Sequence, residues 1–180
     1  MRRLEEKGAV HFEVHKDGPL PLDIVDAMIK QKIAWASERE KQGLFEHPNV
    51  YPYFHELLEV AARQGRLFLA WLKCGSDTIA YMLGLTHDGV MHSYVLTYNP
   101  DWSPCAPGIL VMVNSVCWAI DNSFHGVDYR QGDAHYKARY ANETRMCAEF
   151  TFNGSALGQL MENIFMTLRK MLRVLRIRTF

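Results

Sequence analysis

Four polar side chains fall near the ends of predicted strands and have the chemistry to move or position protons: His92, Asp128, Asp133 and Tyr136. An imidazole titrates near neutral pH and serves as a general base, which suits His92 in the strand-like run 90–98. Asp128 can orient the nucleophile or pair with Arg130 or Lys137. For each of these residues the competing reading is a surface ion pair or a satisfied polar group at a strand end. A second feature is Pro107-Gly108 ahead of the apolar stretch 109–122. Helix N-termini offer free backbone N–H groups and partial positive charge to a phosphate, and a glycine lets backbone come close to a ligand. The loop 103–108 holds no Arg or Lys. A proline-stiffened loop and helix cap is therefore the alternative.

Other reactive side chains make weaker cases. Cys74, Cys105, Cys117 and Cys147 are widely spaced, with no C-x-x-C pair, and read as free thiols. A zinc site needs closer ligand pairs, so no metal is expected. His11 and His15 share one face of a predicted strand with Glu13 between them, a pattern that more simply describes a solvated strand face. Cys105 has no basic neighbour to lower its pKa and reads as a small loop side chain rather than a nucleophile.

These residues need a scaffold, and the chain is long enough to build one. Its 180 residues suit a single domain that buries roughly 70% of its unfolded surface. With 20 basic against 20 acidic residues, charge gives no argument for DNA or another polyanion as partner. No apolar run is long enough to span a bilayer, and the charged N-terminus is no secretory signal, so the expected compartment is the cytoplasm.

Hydrophobic periodicity predicts a strand over 9–15 and helices over about 22–41 and from Asn49, as N-cap, to Gly65. Runs 66–73, 78–86 and 90–98 are strand-like and separated by hairpin-length turns, 74–77 and 87–89. They predict an antiparallel meander. A buried helix over 109–122, a strand at 126–130, a helix at about 133–140 and a strand over 145–152 follow. The tail 155–177 is predicted helical, with Leu157, Leu160, Ile164, Leu168, Leu172 and Leu175 on one stripe. Arginines and Lys170 make it basic, and it is expected to dock on the domain with its charged face open to solvent. The fold class is α/β with a mixed sheet: one domain over 1–155, and the basic amphipathic helix over 156–180. The connection through 109–122 is long enough for a parallel crossover, and the sheet should splay there.

This order resembles the GNAT (GCN5-related N-acetyltransferase) fold. Tyr94 with Tyr98-Asn99-Pro100-Asp101-Trp102-Ser103, then Pro107-Gly108-Ile109-Leu110 and Gly126-Val127-Asp128-Tyr129-Arg130-Gln131-Gly132-Asp133-Ala134-His135-Tyr136-Lys137-Ala138-Arg139-Tyr140, resemble one branch of it. That branch holds CelD-like proteins of cellulose and exopolysaccharide biosynthesis, related to the Fem aminoacyltransferases. The similarity covers about 3–148. Branch members commonly carry a further GNAT-like half ahead of this one, and residues 2–6 look like its last few. The chain would then be a second half, either pairing with another chain or belonging to a longer product.

The resemblance implies an acyl-CoA-dependent acyltransferase, with acetyl-CoA or another acyl-CoA as donor and an amine or sugar as acceptor. It implies that Tyr98, Pro107, Gly108, Ile109 and Tyr140 contact the cofactor. A backbone N–H around 95–98 would polarise the thioester carbonyl. Tyr136 or Tyr140 would return a proton to the thiolate, and Lys137 would stabilise an oxyanion, with His92 and Asp128 completing the catalytic set. Two alternatives remain at this level: a Fem-like aminoacyl-tRNA-dependent transferase, which neutral charge and small size argue against, and a catalytically inactive GNAT-like binding or assembly module. The partner expected for the chain is a second copy, as a homodimer, or another GNAT-like half.

Overall fold

The computed structural model describes residues 2–15, 18–37, 44–132, 134–148 and 154–177. Two compact units are present, 1–141 and 142–180. The first contains, in order, α1 (Arg2–Glu5), β1 (Val10–Val14), α2 (Leu22–Ser37), α3 (Val50–Arg63), β2 (Leu67–Cys74), β3 (Asp77–His87), β4 (Val90–Tyr98), α4 (Pro107–Asp121), β5 (Gly126–Asp128) and α5 (His135–Tyr140). The second contains α6 (Ala156–Ile177).

The strands form one mixed sheet in the order β1-β2-β3-β4-β5. The first three pairings are antiparallel, as the meander predicted, and β4 pairs β5 in parallel across α4. Asp88 and Gly89, at φ +48° and +70°, close the β3–β4 hairpin with the two left-handed residues that tight hairpins favour. Strand β2 reads LFLAWLKC because both its faces are covered. Phe68, Ala70 and Leu72 meet Leu4 of α1 and Val111 and Met112 of α4 on one side. Leu69 and Trp71 meet Val25, Met28 and Ile29 of α2 and Leu58 of α3 on the other. Burial of each large apolar side chain contributes about 1.5–3 kcal/mol. The central strands are thereby a stiff platform.

The structure departs from the sequence expectations at several points. Residues 145–148 are not a strand: Met146 is 95% exposed and Arg145 bonds locally to Glu143 at 2.9 Å instead of joining a ladder. The rest of that predicted strand, 149–152, lies outside the described residues, as do 38–41 of the predicted first long helix and Asp133. Helix α4 buries one stripe rather than its whole circumference, leaving Ile120 67% exposed. Asn49 is the N-cap of α3 but makes no side-chain capping bond. Strand β5 stops at Asp128, because Arg130 turns the chain with φ +62°.

Candidate active site

Strand β4 is bonded to β5 only through Val90–Gly126, Met91–Val127 and His92–Asp128. Beyond His92 no described strand covers that edge of β4, and the sheet opens into a gap. Two local features shape it. The β3–β4 ladder slips between Leu83 and Gly84, which pair with Val95 and Ser93, so Tyr94 is an extra, bulged residue. Gly84 permits this: a Cβ there would sit 2.6 Å from the His92 carbonyl oxygen. Above the bulge, the Asn99 N–H donates to the Ile79 carbonyl at 2.9 Å. Alternation along an antiparallel pair then turns the N–H and C=O of Tyr98 and Leu96 away from β3 and into the gap. Lys32 of α2 confirms that direction, since its Nζ donates to the Leu96 carbonyl at 3.1 Å. The same ammonium lies 4.3 Å from the Trp35 ring.

At the closed end of the gap, His92 Nδ1 lies 3.1 Å from Asp128 Oδ2. The other carboxylate oxygen, Oδ1, accepts the Arg130 N–H at 2.7 Å. Burial would raise the Asp128 pKa, but the hydrogen bonds from Arg130 and His92 and the charges on both outweigh it and hold the carboxyl below its usual value. A carboxylate on Nδ1 fixes the imidazole tautomer and leaves Nε2 as the proton acceptor. His92 also lines a cavity of about 360 Å³ on the α3 side of the sheet, with Leu57, Val60, Arg66, Tyr94 and Arg130.

Tyr136 lies on the opposite side. Its ring packs on the α4 core cluster and stands edge-on to Tyr129, with centroids 6.3 Å apart. Burial raises the Tyr136 pKa above the ordinary tyrosine value, so the hydroxyl keeps its proton at neutral pH. A base and an acid thus flank the sheet from its two faces.

Tyr98, Pro107, Gly108 and Ile109 come together at the start of α4. A Cβ on Gly108 would lie 2.9 Å from Tyr98 Cδ1, and Ile109 and Tyr98 both pack on the same core cluster. The helix end offers less to a phosphate than the sequence suggested. Pro107 has no N–H, and the Ile109 and Leu110 N–H groups are taken by the Ala106 carbonyl at 3.1 and 3.2 Å. Gly108 keeps the only first-turn N–H without a backbone partner among the described residues. Cations arrive from elsewhere: Arg3 Nη1 donates to the Pro104 carbonyl at 3.4 Å, and Lys7 Nζ sits 5.2 Å from the Trp102 ring.

Two predicted residues occupy different surroundings. Tyr140, 39% exposed at the end of α5, lies under Arg139 and belongs with Tyr129 and Tyr136 rather than with Gly108. Lys137 donates from Nζ to the carbonyls of Gln131 at 2.5 Å and Arg130 at 3.3 Å, and so holds the turn after β5. Sequence reasoning missed Lys32, Arg66 and the cavity roles of Tyr94 and Arg130. The spacing Asp128-x-Arg130 was a usable signal, since aspartate often accepts the N–H two residues on. Glu13, between the two strand histidines, is bonded to Trp71 Nε1 at 2.8 Å and to Lys73 at 3.1 Å. Among the described residues no His, Cys, Asp and Glu side chains gather as a metal site.

A family profile for the acetyltransferase (GNAT) domain matches residues 1–138. The chain belongs to the GNAT acetyltransferase family. No curated protein matches it. Solved GNAT-like structures share its fold at low identity. An aminoglycoside acetyltransferase from an uncultured soil metagenomic sample, in complex with sisomicin, is 10% identical with a TM-score of 0.56, over 84% of this chain and 99% of that one. A GNAT family acetyltransferase from Staphylococcus aureus is 9% identical with a TM-score of 0.52, over 79% and 99%. An integron cassette protein from the mobile metagenome of Vibrio cholerae is 14% identical with a TM-score of 0.53, over 84% and 97%. GNAT acetyltransferases generally use acyl-CoA and an acceptor. Among the described residues of this GNAT chain, no helix is long and apolar enough to cross a membrane.

Proposed function

We propose that this GNAT protein is an acetyl-CoA-dependent N-acyltransferase whose reaction centre is the gap between β4 and β5. The observation that carries the reading is the parting of those strands directly after the His92–Asp128 pair. The Leu96 N–H and the edge groups of Tyr98 suit the amides of an extended donor arm, and Arg3 and Lys7 would neutralise its phosphates beside the Gly108 N–H. Bound there, the donor supplies an acyl thioester. His92, oriented by Asp128, would take the acceptor's proton, and Tyr136 would give one to the departing thiolate. The N–H groups freed around the Tyr94 bulge would polarise the carbonyl. Lys137 then acts through the Arg130 turn it holds, as a positioning residue.

The acceptor is an amine, with a sugar hydroxyl as the lesser option. The motif at 126–140 supports a place in the CelD-like branch and hence in envelope or polysaccharide biosynthesis in the cytoplasm. We assign the catalytic role to the unit 1–141, and the helix α6 belongs to the second unit. One observation favours a second reading, an inactive GNAT-like module: the start of α4 offers one backbone N–H to a phosphate. The test is thermal unfolding with acetyl-CoA. At one hundred times Kd the ligand adds about 2.7 kcal/mol, a shift of several degrees. A dose-dependent rise supports the transferase, and no rise at millimolar ligand supports the module.

A further inference from the structure

We infer that the acceptor carries an acid group, a carboxylate or a phosphate, alongside the amine that is acylated. This rests on the N-acyltransferase reading above. Among the described residues, the wall of the cavity that opens beside His92 includes two arginines, Arg66 and Arg130, and two histidines, His87 and His92, and no aspartate or glutamate. Two carboxylates among the described residues lie beside these side chains and already have partners. Asp128 is bonded to His92 and to the Arg130 N–H, and Asp88 lies 3.3 Å from His87 Nε2.

Arg130 is held as an anchor. Its left-handed backbone is clamped by Asp128 on the N–H side and by Lys137 on its carbonyl, and its guanidinium lies 5.0 Å from the Tyr94 ring. A residue with a Cβ in that conformation persists when its surroundings impose it, and such positions concentrate at binding sites. A planar guanidinium on a ring keeps its edge for bidentate bonds to carboxylate or phosphate oxygens. Asp128 touches both the base and the anchor, so an acid group on Arg130 sets the amine within reach of His92. Leu57 and Val60 of α3 leave an apolar wall for the body of a small acceptor. A polycation such as the sisomicin of the soil metagenomic structure would instead meet arginines and, among the described residues, no free carboxylate.

The neutral amine attacks the thioester carbon; a C–N bond forms and the C–S bond breaks. The amine's proton passes to His92, the thiolate receives one from Tyr136, and the products are an amide and free coenzyme A.

The test uses the full chain with acetyl-CoA and matched amines: L-phenylalanine against phenethylamine, glucosamine 6-phosphate against glucosamine, and sisomicin. Thiol release and product mass are followed. An acid-bearing member should exceed its neutral partner at least 10-fold in kcat/KM, and the two pairs separate carboxylate from phosphate. Arg130→Gln and, independently, Arg66→Gln should raise KM for that acceptor with kcat little changed and the unfolding temperature retained. Equal or better use of neutral amines or of sisomicin overturns the inference, as does acetyl-CoA binding with no acid-bearing amine acetylated. If acetyl-CoA is neither bound nor consumed, the transferase reading fails first and this inference falls with it.

Discussion

Asp128→Asn isolates what the Asp128 carboxylate does for His92. The asparagine oxygen can still accept the Arg130 N–H, now at 2.7 Å, so the turn after β5 survives. The amide nitrogen, however, would face His92 Nδ1, now 3.1 Å from a carboxylate oxygen. A donor there makes Nδ1 the acceptor and places the proton on Nε2, where the base must be empty. General-base catalysis is worth about 10²–10⁴, so kcat should fall by that factor, about 2.7–5.4 kcal/mol of barrier. Stability should change far less. Asp128 is 45% exposed, so solvent screens its bonds and their loss costs about 1 kcal/mol. That cost has a sign in pH. The folded-state pKa of Asp128 is lowered, so its stabilisation is present above the unfolded value and disappears as pH falls through the folded one. The stability gap between wild type and variant should therefore close in acid. The assay is steady-state thiol release, with urea unfolding at pH 7 and below pH 4. A kcat within 3-fold of wild type, in a folded variant, would refute the tautomer argument.

Other outcomes follow from the same geometry. Tyr136→Phe should lower kcat with little change in KM, and because burial raises the pKa of this phenol, any alkaline loss of wild-type rate that it sets should come above the ordinary tyrosine range; a fall beginning near pH 8 that the Phe variant lacks would count against it. Gly84→Ala places a methyl 2.6 Å from the His92 carbonyl oxygen, and urea unfolding should show a loss of about 1–3 kcal/mol together with reduced activity. Arg3→Ala combined with Lys7→Ala should weaken acetyl-CoA binding several-fold, measured by calorimetry, and flatten its dependence on salt. An unchanged Kd would show that these cations do not serve the phosphates.

The sheet was readable because local rules and tertiary packing agree there. Uninterrupted apolar runs with Asp88-Gly89 between the last two give a meander buried on both faces, and the long apolar link through α4 gives the parallel crossover. The stretch 145–148 shows the limit. Its composition suits a strand, but a strand exists only where an edge receives it, and Arg145 satisfies itself on Glu143. His92, Asp128 and Tyr136 stand out in the sequence because their residue types suit proton chemistry, and the structure puts His92 and Asp128 in contact. The cations by the 100–106 loop were not, since Arg3 reaches it across 101 residues of sequence. Lys32 likewise meets Leu96 across 64, through the packing of α2 on β4. Gly108 was recognised for phosphate binding, whereas its nearest demand is room for the Tyr98 ring.

The central claim is that the open edge of β4 and the start of α4 receive the acyl donor. Titrating acetyl-CoA into 15N-labelled protein tests it residue by residue. The account predicts saturable shifts of the Leu96, Tyr98 and Gly108 amides, with His92 ring signals moving in step. Saturable binding that leaves these amides unmoved, or no shift at millimolar acetyl-CoA, would contradict it.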